Sequence, residues 1–129
     1  MKRCWVIGDA CIDLLPENEY SYLKCAGGTG TNTAVCLAKL KVNCKLIAKI
    51  GDDPLATFIL KQLKMEGVDT EYVSLSKTHK TTLIIVDLDE DGERSFTYMV
   101  DTGADTRLTE NDLPEFKGGG LVLYQFSNF

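Results

Sequence analysis

Apolar residues fall along this chain in short runs, each closed by glycine or by a cluster of acidic and polar residues. Trp5-Val6-Ile7 is the first run. Gly8-Asp9 ends it, which predicts a buried strand running into a turn. Residues 10–26 are mixed: Pro16 with Glu17-Asn18-Glu19 predicts a turn, and Tyr20-Ser21-Tyr22-Leu23 a short strand. Gly27-Gly28-Thr29-Gly30-Thr31-Asn32 is a glycine-rich bend that opens a helix. The following run, TAVCLAKL over residues 33–40, is apolar nearly all round and predicts burial on most faces. Lys39 and Lys41 stand at its C-terminal end, where the helix dipole favours cations.

Residues 44–50 read as a parallel strand covered on both faces. After Gly51, Asp52-Asp53-Pro54 supplies an N-cap carboxylate and a proline at the first helical position. Leu55, Phe58, Ile59 and Leu63 then recur at helical spacing, and Gly67-Val68 is the stop. Tyr72-Val73-Ser74-Leu75 is a third strand. The order strand, helix, strand, helix, strand predicts an α/β fold, a parallel sheet with crossover helices. The pattern then changes. Residues 81–88 are β-rich, Asp91-Gly92 marks a turn, and residues 94–100 alternate, with Phe96, Tyr98 and Val100 on one face. That is an antiparallel hairpin. Residues 109–112 begin a brief helix, Gly118-Gly119-Gly120 is a loop, and residues 121–126 form another buried strand. The chain stops three residues later, with no helix to cover that strand, so it reads as cut.

Composition narrows the function classes. The 129 residues suit one domain, and 44% hydrophobic with 26% charged residues is ordinary for a globular chain. A net charge of −5 argues against nucleic acid and anionic membranes as partners. No run approaches the ~20 apolar residues of a membrane span, and no signal peptide is present, so the expected setting is cytoplasmic. Cys4, Cys11, Cys25, Cys36 and Cys44 are odd in number with no C-x-x-C pair; they read as free thiols or small core residues. With His79 as the single histidine, no metal site is expected.

The bend at residues 27–32 is not a P-loop, because no Gly-Lys-Ser/Thr follows, and it fits a dinucleotide fingerprint badly. Two readings stand: a turn that simply starts a helix, or a cradle. In the second, Gly27 and Gly28 let a ligand approach the backbone and Asn32 offers both a donor and an acceptor, which suits a polyhydroxyl compound. Asp9 and Asp13 lie just past the first strand, at the sheet edge where α/β proteins bind ligands. They are solvated turn carboxylates or acceptors for adjacent sugar hydroxyls, with Asp13 the stronger candidate. Phe96 and Tyr98 form either a satellite core or the apolar wall of a lid.

Asp101-Thr102-Gly103-Ala104-Asp105 resembles the catalytic loop of retroviral aspartic proteases. That family places a flap hairpin after the aspartate, whereas here the hairpin precedes it and only 24 residues follow Asp105. An N-terminal βαβαβ half is also foreign to that fold, so the protease remains a remote alternative.

In order, VIGDACIDLLPE, YLKCAGGTGTNTAVCLAKL, AKIGDDPLATFILKQLKMEGVDT and DGERSFTYMVDTGADTRLTENDLP resemble the N-terminal portion of the ribokinase-like (PfkB) carbohydrate kinases. The nearest branch is that of bacterial fructokinase and aminoimidazole riboside kinase. Gly27, Gly28, Gly30, Asn32, Ala34 and Gly51 match the first family motif. Lys41 departs from it where the family usually has glycine, which bears on the helix C-cap and not on the site.

The resemblance implies that residues 1–129 are the sugar-binding portion of a single kinase domain, with segments 14–25 and 81–101 forming a small antiparallel β lid that also pairs subunits. It implies sugar binding by Asp9, Asp13, Gly27, Gly28, Asn32 and Phe96. The substrate is a small-molecule sugar, fructose first, with aminoimidazole riboside as the alternative. ATP and Mg²⁺ are implied for the full-length enzyme. Their site and the catalytic base belong to a second motif, Asp-Thr-x-Gly-Ala-Gly-Asp, in a C-terminal half that is absent here. Asp101 and Asp105 imitate its letters without its second glycine or its spacing, so neither is assigned as the base. The chain alone is expected to be inactive; its rival is a non-catalytic sugar-binding or dimerisation module.

Overall fold

Two four-stranded sheets divide the chain. The computed structural model describes residues 3–100 and 102–126; Asp101, part of the protease-like run, lies outside the described residues. The first sheet holds β1 (Cys4–Gly8), β4 (Cys44–Gly51), β5 (Val73–Ser76) and β8 (Leu121–Gln125) in the order β5-β4-β1-β8, all parallel. Helices α1 (Thr29–Lys39) and α2 (Pro54–Met65) make the crossovers. The second sheet has the order β3-β2-β6-β7: two antiparallel hairpins, β2 (Cys11–Asn18) with β3 (Ser21–Gly27) and β6 (Leu83–Leu88) with β7 (Arg94–Val100), joined by parallel β2–β6 pairing. The α/β class expected from the strand–helix order, a parallel sheet with crossover helices, is the one observed.

Leu46, Ile47 and Ile50 on β4 and Ile59 and Leu63 on α2 are fully buried. Most of the core lies between the parallel sheet and the two helices. Cutting such a side chain to alanine costs about 2–5 kcal/mol. Asp53 is the N-cap of α2, as the Asp-Asp-Pro signal predicts. Its Oδ1 accepts from the Ala56 N–H at 2.9 Å and the Thr81 hydroxyl at 2.8 Å, and its Oδ2 from the Thr81 N–H at 2.9 Å. The Thr81 hydroxyl also accepts from the Gly51 N–H. One carboxylate thereby ties the end of β4, the start of α2 and the approach to β6.

Several expectations fail locally. Pro16 lies inside β2 and not in a turn. β6 pairs only with Ile12, Asp13 and Leu14, so Pro16 sits where β2 has a neighbour on one side, at a register shift that tolerates a missing N–H. Asp13 is consequently a strand residue. Helix α1 begins inside the glycine bend, at Thr29, and is not buried on most faces. Gly30, Thr31 and Ala34 are buried, while Cys36 and Leu40 are exposed. The last strand is an edge strand, with Leu121, Val122 and Tyr124 exposed and only Leu123 packed against the core. Lys41 takes the left-handed conformation, φ 63°, in place of the glycine such a C-cap favours. The cysteines are all free; Cys4, Cys11 and Cys44 are buried and Cys36 is exposed. No helix among the described residues is long and apolar enough to cross a membrane.

Candidate sugar-binding cleft

The site starts where β1 stops. Asp9 follows Gly8, and its Oδ1 accepts the Gly30 N–H at 3.1 Å and the Thr29 hydroxyl at 2.7 Å. Its main-chain carbonyl accepts the Thr31 N–H at 3.1 Å. The N-cap residue of α1 is Gly28, which has no side chain to offer; Asp9 meets the first-turn donors from another element, and its charge suits the positive end of the helix. This contact is why the helix begins four residues earlier than its apolar run. It also requires close backbone approach. A Cβ on Gly30 would lie 2.7 Å from the Gly8 Cα, and one on Gly28, at φ 99°, would lie 2.7 Å from the Asp9 carbonyl oxygen.

Strand alternation positions the second aspartate. On β2, Ile12 and Leu14 face the main core, so Cys11, Asp13 and Leu15 point to the opposite face of the second sheet. Cys11, Ile84 and Val86 are buried there, with Tyr98 and Leu15 against them. Asp13 sits on this apolar floor beside Gly27, where a Cβ would overlap its Oδ2. Burial pushes the Asp13 carboxyl above its ordinary range and the nearby Asp9 charge adds to this, while a Cys11 thiol 3.7 Å from Oδ1 pulls the other way. Burial, with Asp13 and Asp9 next, also raises the Cys11 thiol and keeps it neutral.

These groups line one cleft of about 620 Å³ at the C-terminal edge of the parallel sheet. Asp9, Asp13, Gly28, Asn32 and Phe96 all line it. Gly27 does not; it lies behind Asp13 and leaves room for that carboxylate. Phe96 and Tyr98 both line the cleft, and Tyr98 also packs against the small core of Cys11, Ile84 and Val86, so it takes part in both arrangements the sequence left open.

The sequence reading misses Thr82 and Asp105, which also line the cleft. The buried Thr82 hydroxyl donates to Asp105 Oδ1. Burial raises the Asp105 carboxyl, the Thr82 hydrogen bond lowers it and the Asp9 charge raises it further. Tyr124 and Phe126 line it too, because β8 pairs in register with β1 and so ends at the same edge. The signal for Asp105 lay in the run 101–105, set aside there for its spacing.

The arrangement offers carboxylates, an amide and an apolar wall, the means by which proteins hold a polyol. Residues 1–120 match the model of the pfkB family of carbohydrate kinases. The chain is 45% identical over 117 residues to the aminoimidazole riboside kinase of Salmonella typhimurium, covering 91% of this chain and 37% of that protein. It is 44% identical over 119 residues to the fructokinase of Vibrio alginolyticus, covering 92% and 39%. The apo crystal structure of Vibrio cholerae O395 fructokinase superposes with a TM-score of 0.87 at 41% identity, over 95% of this chain and 42% of that one. The same enzyme with fructose, ADP and a calcium ion gives 0.86 at 41% identity, over 95% and 40%. The chain thus spans about two-fifths of the length of the relatives it matches. A match of this extent, over a fold that agrees with it, means that the chain belongs to the pfkB family of carbohydrate kinases.

Proposed function

We propose that this chain is the sugar-recognition portion of an ATP-dependent sugar kinase, with fructose the first substrate and aminoimidazole riboside the alternative. One observation carries the reading: Asp13 and Asn32, from different elements, line one cleft above Gly27 and Gly28. In this reading Asp13 accepts hydrogen bonds from neighbouring hydroxyls. The Asn32 amide both donates and accepts, and Gly28 lets the ring approach the backbone. Phe96 packs on the carbon face of the sugar. Asp9 shapes the pocket indirectly, by fixing α1. The second sheet, in segments 14–25 and 81–101, acts as the lid that closes over the sugar and excludes water. Exposed Tyr22, Leu23, Leu88 and Met99 on that sheet favour pairing with a second copy. The five free thiols accord with a cytoplasmic setting.

ATP does not fit the residues of this cleft. The cleft is lined by three carboxylates and, among the described residues, by no Lys, Arg or His, and Asp9 already occupies the N-terminus of α1. Among the described residues no group of three His, Cys, Asp or Glu side chains could hold a metal ion. The nucleotide, its Mg²⁺ and the catalytic base belong, in this proposal, to a further portion of the enzyme.

A thermal-shift titration tests the reading. Fructose or aminoimidazole riboside should raise the melting temperature in a saturable way, and the chain alone should turn over no ATP. Silence toward both sugars in a folded sample refutes the sugar site. Sugar-dependent ADP production by the chain alone refutes the assignment of nucleotide and base elsewhere.

A further inference from the structure

The cleft's charge narrows the class of sugar beyond the reading just given, on which this inference rests. Asp9, Asp13 and Asp105 line it, and no basic side chain does so among the described residues. Arg107, the nearest basic residue in sequence to Asp105, is exposed and does not contribute to the lining. The three carboxylates are not equivalent. Asp9 is bound to the first turn of α1, where the helix offsets its charge. Asp105 is held by the buried Thr82 hydroxyl and by backbone N–H groups of Asp105 and Thr106, neutral donors that orient the carboxylate and bring no counter-charge. Asp13 lies on an apolar floor with a thiol as neighbour. The field of Asp9 reaches both Asp13 and Asp105, so the three carboxylates share one cleft and together oppose a further anion there.

We infer that Asp105 is a specificity-determining residue: with Asp13, its fixed charge admits uncharged or cationic polyols to the cleft and rejects sugars that carry a phosphate or a carboxylate. The Thr82–Asp105 contact holds that charge on the segment that follows the second hairpin. A unit charge ~6 Å from an incoming anion weakens its binding roughly threefold at the dielectric of water, and more where the cleft is partly dry.

Calorimetric titration of the chain with fructose, fructose 6-phosphate and gluconate, at fixed ionic strength, reads this directly. Wild type should bind fructose at least tenfold more tightly than either anion. Asp105→Asn keeps the shape and an acceptor for Thr82; it should narrow that ratio at least threefold while changing fructose affinity less. Salt provides a check that needs no variant: raising it from 20 to 300 mM should narrow the wild-type ratio by screening. Equal binding of fructose and fructose 6-phosphate, or a ratio that neither Asp105→Asn nor salt alters, overturns the charge filter and leaves the sugar site standing. Absence of binding by fructose itself overturns the sugar site, and the filter with it.

Discussion

The Asp13 carboxylate lies against the bare Cα of Gly27: any side chain at residue 27 would overlap Asp13 Oδ2. The two residues stand on paired strands of one hairpin, Asp13 opposite Cys25 and Gly27 opposite Cys11. Both therefore face the cleft side of the second sheet. This accounts for a glycine at the last paired position of β3, where it otherwise weakens the strand. Gly27→Ala must displace the carboxylate. It should reduce fructose affinity about tenfold or more, a gap in binding free energy of ~1.4 kcal/mol, measured by calorimetry. Unchanged affinity would mean that the carboxylate does not need this position.

Asp13 also sets function against stability. Its folded-state pKa is raised, chiefly by burial, so ionisation costs the folded state energy at neutral pH. That cost is fully present above the raised folded pKa, fades as pH falls through it, and is gone below the unfolded value of ~3.9. Asp13→Asn should raise the melting temperature by about 1–3 °C at pH 7 and have no effect near pH 3.5, while weakening fructose binding. A lower melting temperature at pH 7 would contradict the desolvation argument.

Asp53 shows the opposite sign. Burial would raise its carboxyl, but hydrogen bonds from the Thr81 N–H, the Ala56 N–H and the Thr81 hydroxyl outweigh that and hold it below its ordinary range. Its contribution is therefore present above the unfolded value of ~3.9 and lost as pH falls through the folded value. Asp53→Ala should cost about 2 kcal/mol in urea unfolding at pH 7, since it removes a cap and strands the Thr81 donor. The difference from wild type should shrink toward pH 2.

Lys41 carries strain that glycine would relieve. It has φ 63°, with its N–H bonded to the Ala38 carbonyl at 3.0 Å and the Val42 N–H to that of Leu37 at 3.0 Å. Lys41→Gly should stabilise the chain by about 0.5–1 kcal/mol, and Lys41→Ala should not. Equal effects of the two substitutions would mean that the left-handed cap is not strained.

Much of this architecture was legible in the chain because local signals and burial agreed. Asp53-Pro54 is a cap that reads directly as a helix start, and Asp91-Gly92 correctly places the second hairpin. The first hairpin was obscured because Pro16 is a turn signal in isolation; its position beyond the β6 pairing exists only in the assembled sheet. Helix α1 extended past its apolar run for the same reason, since its cap, Asp9, is 21 residues from Gly30 in sequence. An apolar run such as residues 121–126 reports what a strand could bury, not what lies beside it. In the cleft, Asp9, Asp13 and Asn32 could be found from glycine spacing and strand ends. Asp105 carried a signal in the run 101–105, but its place in the cleft depends on Thr82, which only the fold brings to it.

Nuclear magnetic resonance mapping of fructose binding tests the central claim most directly. Titrating fructose into labelled protein should shift the amide signals of Asp13, Gly28, Asn32 and Phe96 together along one saturable curve, which Asp13→Ala abolishes. Shifts confined to the groove between the two helices, around Cys36 and Phe58, with the Asp13, Gly28 and Phe96 signals unmoved, would contradict it.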